Sequence, residues 1–216
     1  MKPNAQRRLR QPKSMRGLEE FGRTRLSANF YMRDFMFSEI AGFYGIPNLP
    51  SDPNLAIEAG RQLCETLLEP LEATFGRIAI RSGFRSAEVT AFGNERGHGA
   101  SVKYNAGYHV WDLRDGQGRM GAAACIVIPW FADRYAQGAD WRALAWWIHD
   151  HLPYAHLQFY PKLAAFNIQW REQECDGIES FIAPRGTLTR PGMENFEGDH
   201  GEWYEGFPKP AASPRG

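Results

Sequence analysis

Apolar residues recur along this chain with two different periods, and the change between them predicts the order of its helices and strands. One series keeps the four-residue spacing of an amphipathic helix: Leu55, Ala59, Leu63, Leu67, Leu71 and Phe75. Asp52 and Pro53 form a typical helix start, and Pro70 is expected to kink or divide this helix. A second helix is predicted for DWRALAWWIHDHL, residues 140–152.

The strand patterns are shorter and lie mainly in the second half of the chain. Residues 77–81 alternate in polarity and predict a strand, followed by the turn SGFRS and a short helix over 88–92. GAAACIVI, residues 121–128, is unbroken and predicts a strand covered on both faces. AHLQFY and AFNIQW predict two more strands, whereas the glycine-rich and charged residues 93–121 predict a long functional or mobile loop. We expect an α+β fold with a small, mostly antiparallel sheet packed against helices.

Composition divides the chain into three parts, although its formal net charge is zero. Residues 1–26 hold eight Lys or Arg against two Glu and predict a basic arm that is disordered or docks on a partner. Residues 27–183 form the expected domain, with thirteen basic and eighteen acidic residues. Residues 184–216 are rich in Pro and Gly, and their aromatic residues are expected to dock on the domain or on a partner.

Several functional classes find no support in the sequence. The basic start lacks the apolar stretch of a secretory signal, and the longest apolar run, residues 122–132, is too short for a bilayer span and contains a proline. GxSxG, P-loop, GxGxxG and HExxH motifs are absent. Cys64, Cys125 and Cys175 show neither disulfide-framework nor zinc-ribbon spacing. We therefore expect a soluble protein made in the cytoplasm, with no membrane span and no specific nucleic-acid partner.

The six histidines are the remaining candidates for metal ligands. His149 and His151 are two residues apart on a helix, so their side chains diverge and a structural or surface role is expected. His98 and His200 lie in glycine-rich stretches and are expected to be exposed to solvent. His109 and His156 are the two that remain as candidates.

The order of these landmarks resembles the zinc D-alanyl-D-alanine carboxypeptidases and phage-type peptidoglycan peptidases of the hedgehog/DD-peptidase fold. The similarity covers roughly residues 26–170. LSANFYMRDFMFSEIA is similar to the family's leading segment, and LCETLLEPLEATFGRIAIRSGFRS is similar to its helix, its Leu-Glu-Pro-Leu motif and its strand ending in Ser-Gly-aromatic-Arg-Ser. By this resemblance Arg85, with Ser86, would bind the carboxylate of the substrate, unless Arg85 only ties the turn together.

The same resemblance implies that the zinc ligands are lost. Gly118 stands where the family has its first ligand, a His, Cys125 stands for the ligand Asp, and Asn167 stands for the last His. A glycine and an amide cannot replace imidazoles, and one thiolate alone would not hold zinc. In the alternative alignment the loop brings His109 or Asp112 to the first ligand position, with Cys125 second and His156 third, which would restore Zn²⁺ and peptidase activity.

The resemblance thus implies a catalytically degenerate peptidase-like domain without a cofactor. We expect it to act as a structural or cell-surface component that binds peptidoglycan or another glycan in a phage or phage-like particle. Its arm and tail would contact protein partners in an assembly. The alternative is an active zinc-dependent D-Ala-D-Ala carboxypeptidase or endopeptidase with relocated ligands.

Overall fold

The chain folds into one mixed six-stranded sheet, and the helical segment of residues 53–75 packs against one face of it. The computed structural model describes residues 9–99, 101–172 and 176–211. Its helices are α1 (Met15–Gly22), α2 (Glu39–Tyr44), α3 (Pro53–Leu63), α4 (Glu69–Phe75), α5 (Ala87–Glu95), α6 (Val102–Asn105), α7 (Pro129–Ala136) and α8 (Trp141–His151). None of these helices has the length and apolarity needed to cross a membrane.

The strands are β1 (Ala79–Ser82), β2 (Gly121–Val127), β3 (His156–Phe159), β4 (Phe166–Arg171), β5 (Gly177–Ser180) and β6 (Gly186–Thr189). They lie in the order β1-β2-β4-β3-β5-β6. The pairing of β3 with β5 is parallel and the other pairings are antiparallel. The α+β prediction is confirmed, but the prediction of a mostly antiparallel sheet is corrected to a mixed sheet, because the chain returns to β5 on the far side of β3.

The long helical series of the sequence forms the centre of the core. A π-helical turn at Cys64–Leu68 separates α3 from α4, and Pro70 follows it in the first turn of α4, while the backbone stays helical through the junction. Leu63, Leu67 and Leu71 are fully buried in the same cluster as the core-facing residues of the strands. Alternate residues of β3 and β4 face the other way, and they build the cleft described below.

Both ends of the predicted domain extend further than composition suggested. Residues 15–22, assigned to the basic arm, form α1, and Phe21 and Leu26 are buried in the core. The sheet continues past residue 183 into β6, and Phe207 packs against Phe75, Trp130 and Phe131. Segments that charge and proline content assign to an arm and a tail therefore contribute to the core through a few apolar side chains. Residues 1–8 and 212–216 of these two segments lie outside the described residues.

The stretch from 93 to 121 is a loop only in part. It contains the end of α5 and all of α6, and residues 105–112 pack beside β2. Ala123 N donates a hydrogen bond to Tyr108 O (2.8 Å), and Trp111 Nε1 donates to Ala123 O (3.1 Å). These bonds hold residues 105–112 against β2, beyond the point where β1 ends. They also fix the position of the neighbouring His109.

Candidate functional site

A polar cleft of about 840 Å³ lies over β3, β4 and β5, on the face of the sheet opposite the buried leucines. Its walls come from the loop after β1, from α6 and from the residues that follow it. The side chains and backbone that line it belong to Arg85, His98, Gly99, Lys103, Tyr104, Asn105, Ala106, Tyr108, His109, Asp115, His156, Gln158, Tyr160, Asn167, Gln169, Arg171, Asp176 and Glu179. Uncharged amides, phenols and imidazoles therefore form most of its floor.

The floor is held by a chain of neutral hydrogen bonds. Asn167, which is 5% exposed, donates through Nδ2 to the hydroxyl oxygen of Tyr160 (2.9 Å). That hydroxyl donates in turn to Gln158 Oε1 (2.6 Å). Gln169 Nε2 donates to the backbone carbonyl of Gly107 (2.7 Å) and so ties the floor to the wall. Burial raises the pKa of Tyr160 to about 12, so its hydroxyl keeps its proton at neutral pH.

His109 is the most deeply placed imidazole of the cleft, with 6% of its surface exposed. Its Nδ1 lies 2.9 Å from the carbonyl oxygen of Gly83, and because a carbonyl only accepts, Nδ1 carries the proton. Burial, together with the nearby Arg85, lowers the pKa of His109 to about 4, against the opposing hydrogen bonds of Gly83 and Asn167. The ring is thus neutral at pH 7, and its Nε2 remains an acceptor.

His156 occupies the opposite part of the floor, on β3. Its Nδ1 lies 3.5 Å from the Tyr108 hydroxyl, and its Nε2 lies 3.8 Å from a carboxylate oxygen of Glu179. Burial lowers the pKa of His156 despite the opposing charge of Glu179, and burial raises the pKa of Tyr108. These groups are therefore neutral near pH 7 as well.

Arg85 supplies a positive charge at the wall of the cleft. Its backbone N donates to His109 O (2.8 Å), and the next residue, Ser86, caps α5 by accepting a hydrogen bond from Val89 N (3.2 Å). Burial lowers the pKa of Arg85 against the opposing charge of Glu39, and within the described ranges no carboxylate lies at ion-pair distance from its guanidinium. The predicted site residue Ser86 is buried and uses its hydroxyl as the helix cap, whereas Arg85 lines the cleft.

The structure brings together two of the three positions at which the resemblance places the lost zinc ligands. Cys125 and Asn167 are direct cross-strand partners on β2 and β4. Gly118 lies apart from them in a solvent-exposed turn with φ of 78°, where a side chain would meet no neighbour within 4 Å. Burial raises the pKa of the Cys125 thiol, which favours the protonated form. A glycine, a thiol and a hydrogen-bonded amide in this arrangement do not fit a zinc ion.

The four residues of the alternative ligand set are distributed over two places. His109 and His156 line the cleft, whereas Asp112 is buried beside the start of α3, where its carboxylate accepts a hydrogen bond from Ser51 N (2.6 Å). Burial raises the pKa of Asp112. The described residues contain one trio of metal-capable side chains with donor atoms within 4.8 Å of one another, and none of these four belongs to it. Cys175, the third cysteine, lies outside the described residues.

That trio is His149, Asp150 and His200, and it was missed by the sequence analysis. His200, predicted to be exposed, is 9% exposed and stacks on Trp146 at 3.9 Å between ring centroids. Its Nδ1 lies 2.7 Å from Asp150 Oδ1, and its Nε2 lies 3.2 Å from Asn195 O. No sequence motif links residue 200 to α8, because their proximity depends on the path of the C-terminal segment.

The polar groups of this trio are already engaged by the protein. His149 Nδ1 lies 2.7 Å from the Tyr154 hydroxyl, and its Nε2 lies 2.8 Å from Phe196 O. Tyr204 donates its hydroxyl proton to Asp150 Oδ2 (2.7 Å). A metal ion would have to break several of these bonds, so the cluster fits a structural role in which α8 holds residues 195–204 against the domain.

Comparison with known proteins leaves the cleft without a counterpart: no family model, no curated protein and no solved structure matches this chain. The relationship to zinc peptidases therefore stays a prediction from the residues quoted above.

Proposed function

We propose that this chain is a non-catalytic binding module whose cleft takes a carboxylate-bearing fragment of the bacterial cell wall. The observation that carries the proposal is Arg85, a partly buried guanidinium that lines the cleft. The charge of Glu39 acts on it, but no carboxylate lies at ion-pair distance from it among the described residues. Removing a charge from water is costly unless a counter-charge meets it. A planar guanidinium is suited to a bidentate pair with a carboxylate, so a ligand carboxylate is the partner that this site favours.

The neutral floor supports binding rather than hydrolysis. Asn167, Tyr160 and Gln158 donate and accept hydrogen bonds among themselves and present further polar atoms to the cleft. Such groups orient a ligand by its amide and hydroxyl groups. Peptidoglycan peptides combine amides with a terminal carboxylate, and the resemblance to peptidoglycan peptidases points to the same ligand class. The placement of the module in a phage-like particle stays a prediction from that resemblance.

Isothermal titration calorimetry with a synthetic peptidoglycan pentapeptide tests the proposal. We expect the peptide that ends in a free D-Ala-D-Ala carboxylate to bind, and the C-terminal amide to bind more weakly. Arg85→Ala should weaken binding of the free acid by at least about 30-fold, since truncating one member of a partly buried charge pair costs about 2 kcal/mol or more. The affinity of Arg85→Lys should fall between those of wild type and Arg85→Ala, because lysine keeps the charge and loses the bidentate geometry.

Arg77→Ala is the matched control, because Arg77 is exposed two residues before β1 and lies outside the cleft. Equal affinity for acid and amide, or for wild type and Arg85→Ala, would contradict the carboxylate site. Release of D-alanine that stops on addition of a chelator, together with stoichiometric zinc in the purified protein, would instead establish the active zinc peptidase.

A further inference from the structure

A second cavity of about 410 Å³ continues the cleft toward the β6 edge of the sheet. It is lined by Gln158, Glu179, Ser180, Phe181, Arg185, Gly186 and Thr187. The two cavities adjoin at Gln158 and Glu179, which line both, and together they are named the groove. Their combined lining is larger than a single terminal carboxylate needs.

A row of polar side chains runs along this groove, across the strands. The cross-strand pairs Asn167 with Gln158, Gln158 with Glu179, and Glu179 with Thr187 connect β4, β3, β5 and β6. Neighbouring strands lie about 4.8 Å apart, so the three steps span about 14 Å. Hydrogen-bonding groups thus recur at intervals close to the length of one pyranose ring in an extended glycan.

An aromatic ring stands beside this row. Phe181 is 52% exposed, and one side of its ring stacks on Tyr160 with centroids 5.6 Å apart and an angle of 21° between the ring planes. Tyr104, which lines the cleft, is 78% exposed. Arg185 is exposed beside Phe181, and the described residues place no carboxylate at ion-pair distance from it. An open aromatic face next to amide, carboxylate and hydroxyl groups is suited to the apolar face and the hydroxyls of a sugar.

We infer that the groove binds a linear cell-wall oligosaccharide, with one sugar stacked on Phe181 and hydrogen-bonded by Glu179 and Thr187. The inference rests on the proposed function, because it extends the same ligand from its peptide to its glycan. A peptide in the second cavity would be held mainly by main-chain pairing along the edge strand β6. The row offers amide, carboxylate and hydroxyl groups instead, which favours the sugar.

The test uses peptidoglycan glycan strands freed of peptide by an amidase and separated into disaccharides, tetrasaccharides and hexasaccharides. We expect the tetrasaccharide to bind the full chain more tightly than the disaccharide in calorimetry. Phe181→Ala should weaken tetrasaccharide binding about tenfold, the value expected for loss of one aromatic stack. Thr187→Val, which removes the hydroxyl at nearly constant volume, should weaken it severalfold.

Phe37→Ala is the matched control, since Phe37 is also exposed but lies beside α2 and outside the groove. Both Phe181 and Thr187 are exposed, and an unchanged thermal midpoint will show that the variants are folded. If wild type binds the pentapeptide but no glycan strand, the inference fails and the proposed function stands. If Phe181→Ala weakens the pentapeptide instead, the second cavity is a peptide site and the inference also fails. Failure of both ligands would reject the inference and the proposed function together.

Discussion

Gly121→Ala offers the sharpest test of how the cleft wall is attached to the sheet. Gly121 begins β2, and a Cβ at this position would lie 2.3 Å from the carbonyl oxygen of Gly107 and 3.1 Å from that of Trp170. The first distance must grow by about 0.7 Å to reach 3.0 Å, the shortest separation that real Cβ atoms show. Since both neighbours are backbone atoms, no side-chain rotation can relieve the clash.

The expected cost follows from what must move. Overpacking a close contact costs about 1–3 kcal/mol, and a clash between backbone atoms belongs at the upper end of this range. For a protein of this size, about 3 kcal/mol corresponds to a fall in the thermal midpoint of about 6–12 °C. The Gly107 carbonyl also accepts the hydrogen bond from Gln169 Nε2, so its displacement should weaken pentapeptide binding as well.

Differential scanning calorimetry and the pentapeptide titration measure the two effects. Gly116→Ala is the control, because Gly116 lies in the same connection, is exposed, and has no atom within 4 Å of an added Cβ. Its midpoint should stay close to that of wild type. A Gly121→Ala protein as stable as Gly116→Ala would refute the reasoning. It would mean that the backbone of residues 105–112 does not closely contact the start of β2.

Three further predictions concern other parts of the molecule. Asp150→Asn should lower the free energy of unfolding in urea by about 1–3 kcal/mol and expose residues 195–204 to protease, because it weakens the hydrogen bonds from His200 and Tyr204. The control Asp133→Asn, at an exposed position, should do neither. The thermal midpoint should fall as pH is lowered from about 6.5 toward 4, because His109 stays neutral in the folded state while the unfolded chain takes up a proton. His109→Gln should reduce this fall, and the control His151→Gln, at an exposed position, should not. The double variant Cys125→Asp, Asn167→His should bind one zinc ion with His109, as measured by elemental analysis, and adding His109→Ala should abolish it; absence of zinc from the double variant would show that the three positions do not converge.

The elements with strong periodicity were predictable from the sequence. The long helical series and the strand GAAACIVI are both present, because each buries an apolar set that only one local structure can bury. The strands β5 and β6 were not predicted, since their four-residue segments carry few apolar side chains and depend on sheet pairing, of β5 with β3 and of β6 with β5. Their parallel entry beside β3 has no local signal, so the mixed sheet could not be foreseen.

Several residues of the candidate site could be predicted from the sequence, but their arrangement in space could not. Arg85, His109, His156 and Asn167 were all singled out from the sequence, and the structure places them around one cleft. Tyr160 and Gln158, which hold Asn167, were not considered, because alternating polar residues in a short strand have the same pattern as any solvated strand face. The trio around His200 was missed for a different reason, since it depends on contacts 50 residues apart in the chain.

The protonation states around the cleft bear on the proposed function. A general acid or base works best when its pKa lies near the working pH. Burial moves the pKa of His109 down to about 4 and that of Tyr160 up to about 12, and it also lowers the pKa of His156 and raises that of Cys125. Each of these groups is therefore held in its neutral form at pH 7, while Arg85 stays charged. Such a site can hold an anionic ligand through the guanidinium and many hydrogen bonds, as the proposed function requires. On that proposal, a bound metal ion that acidified a water molecule is the change that would add hydrolysis.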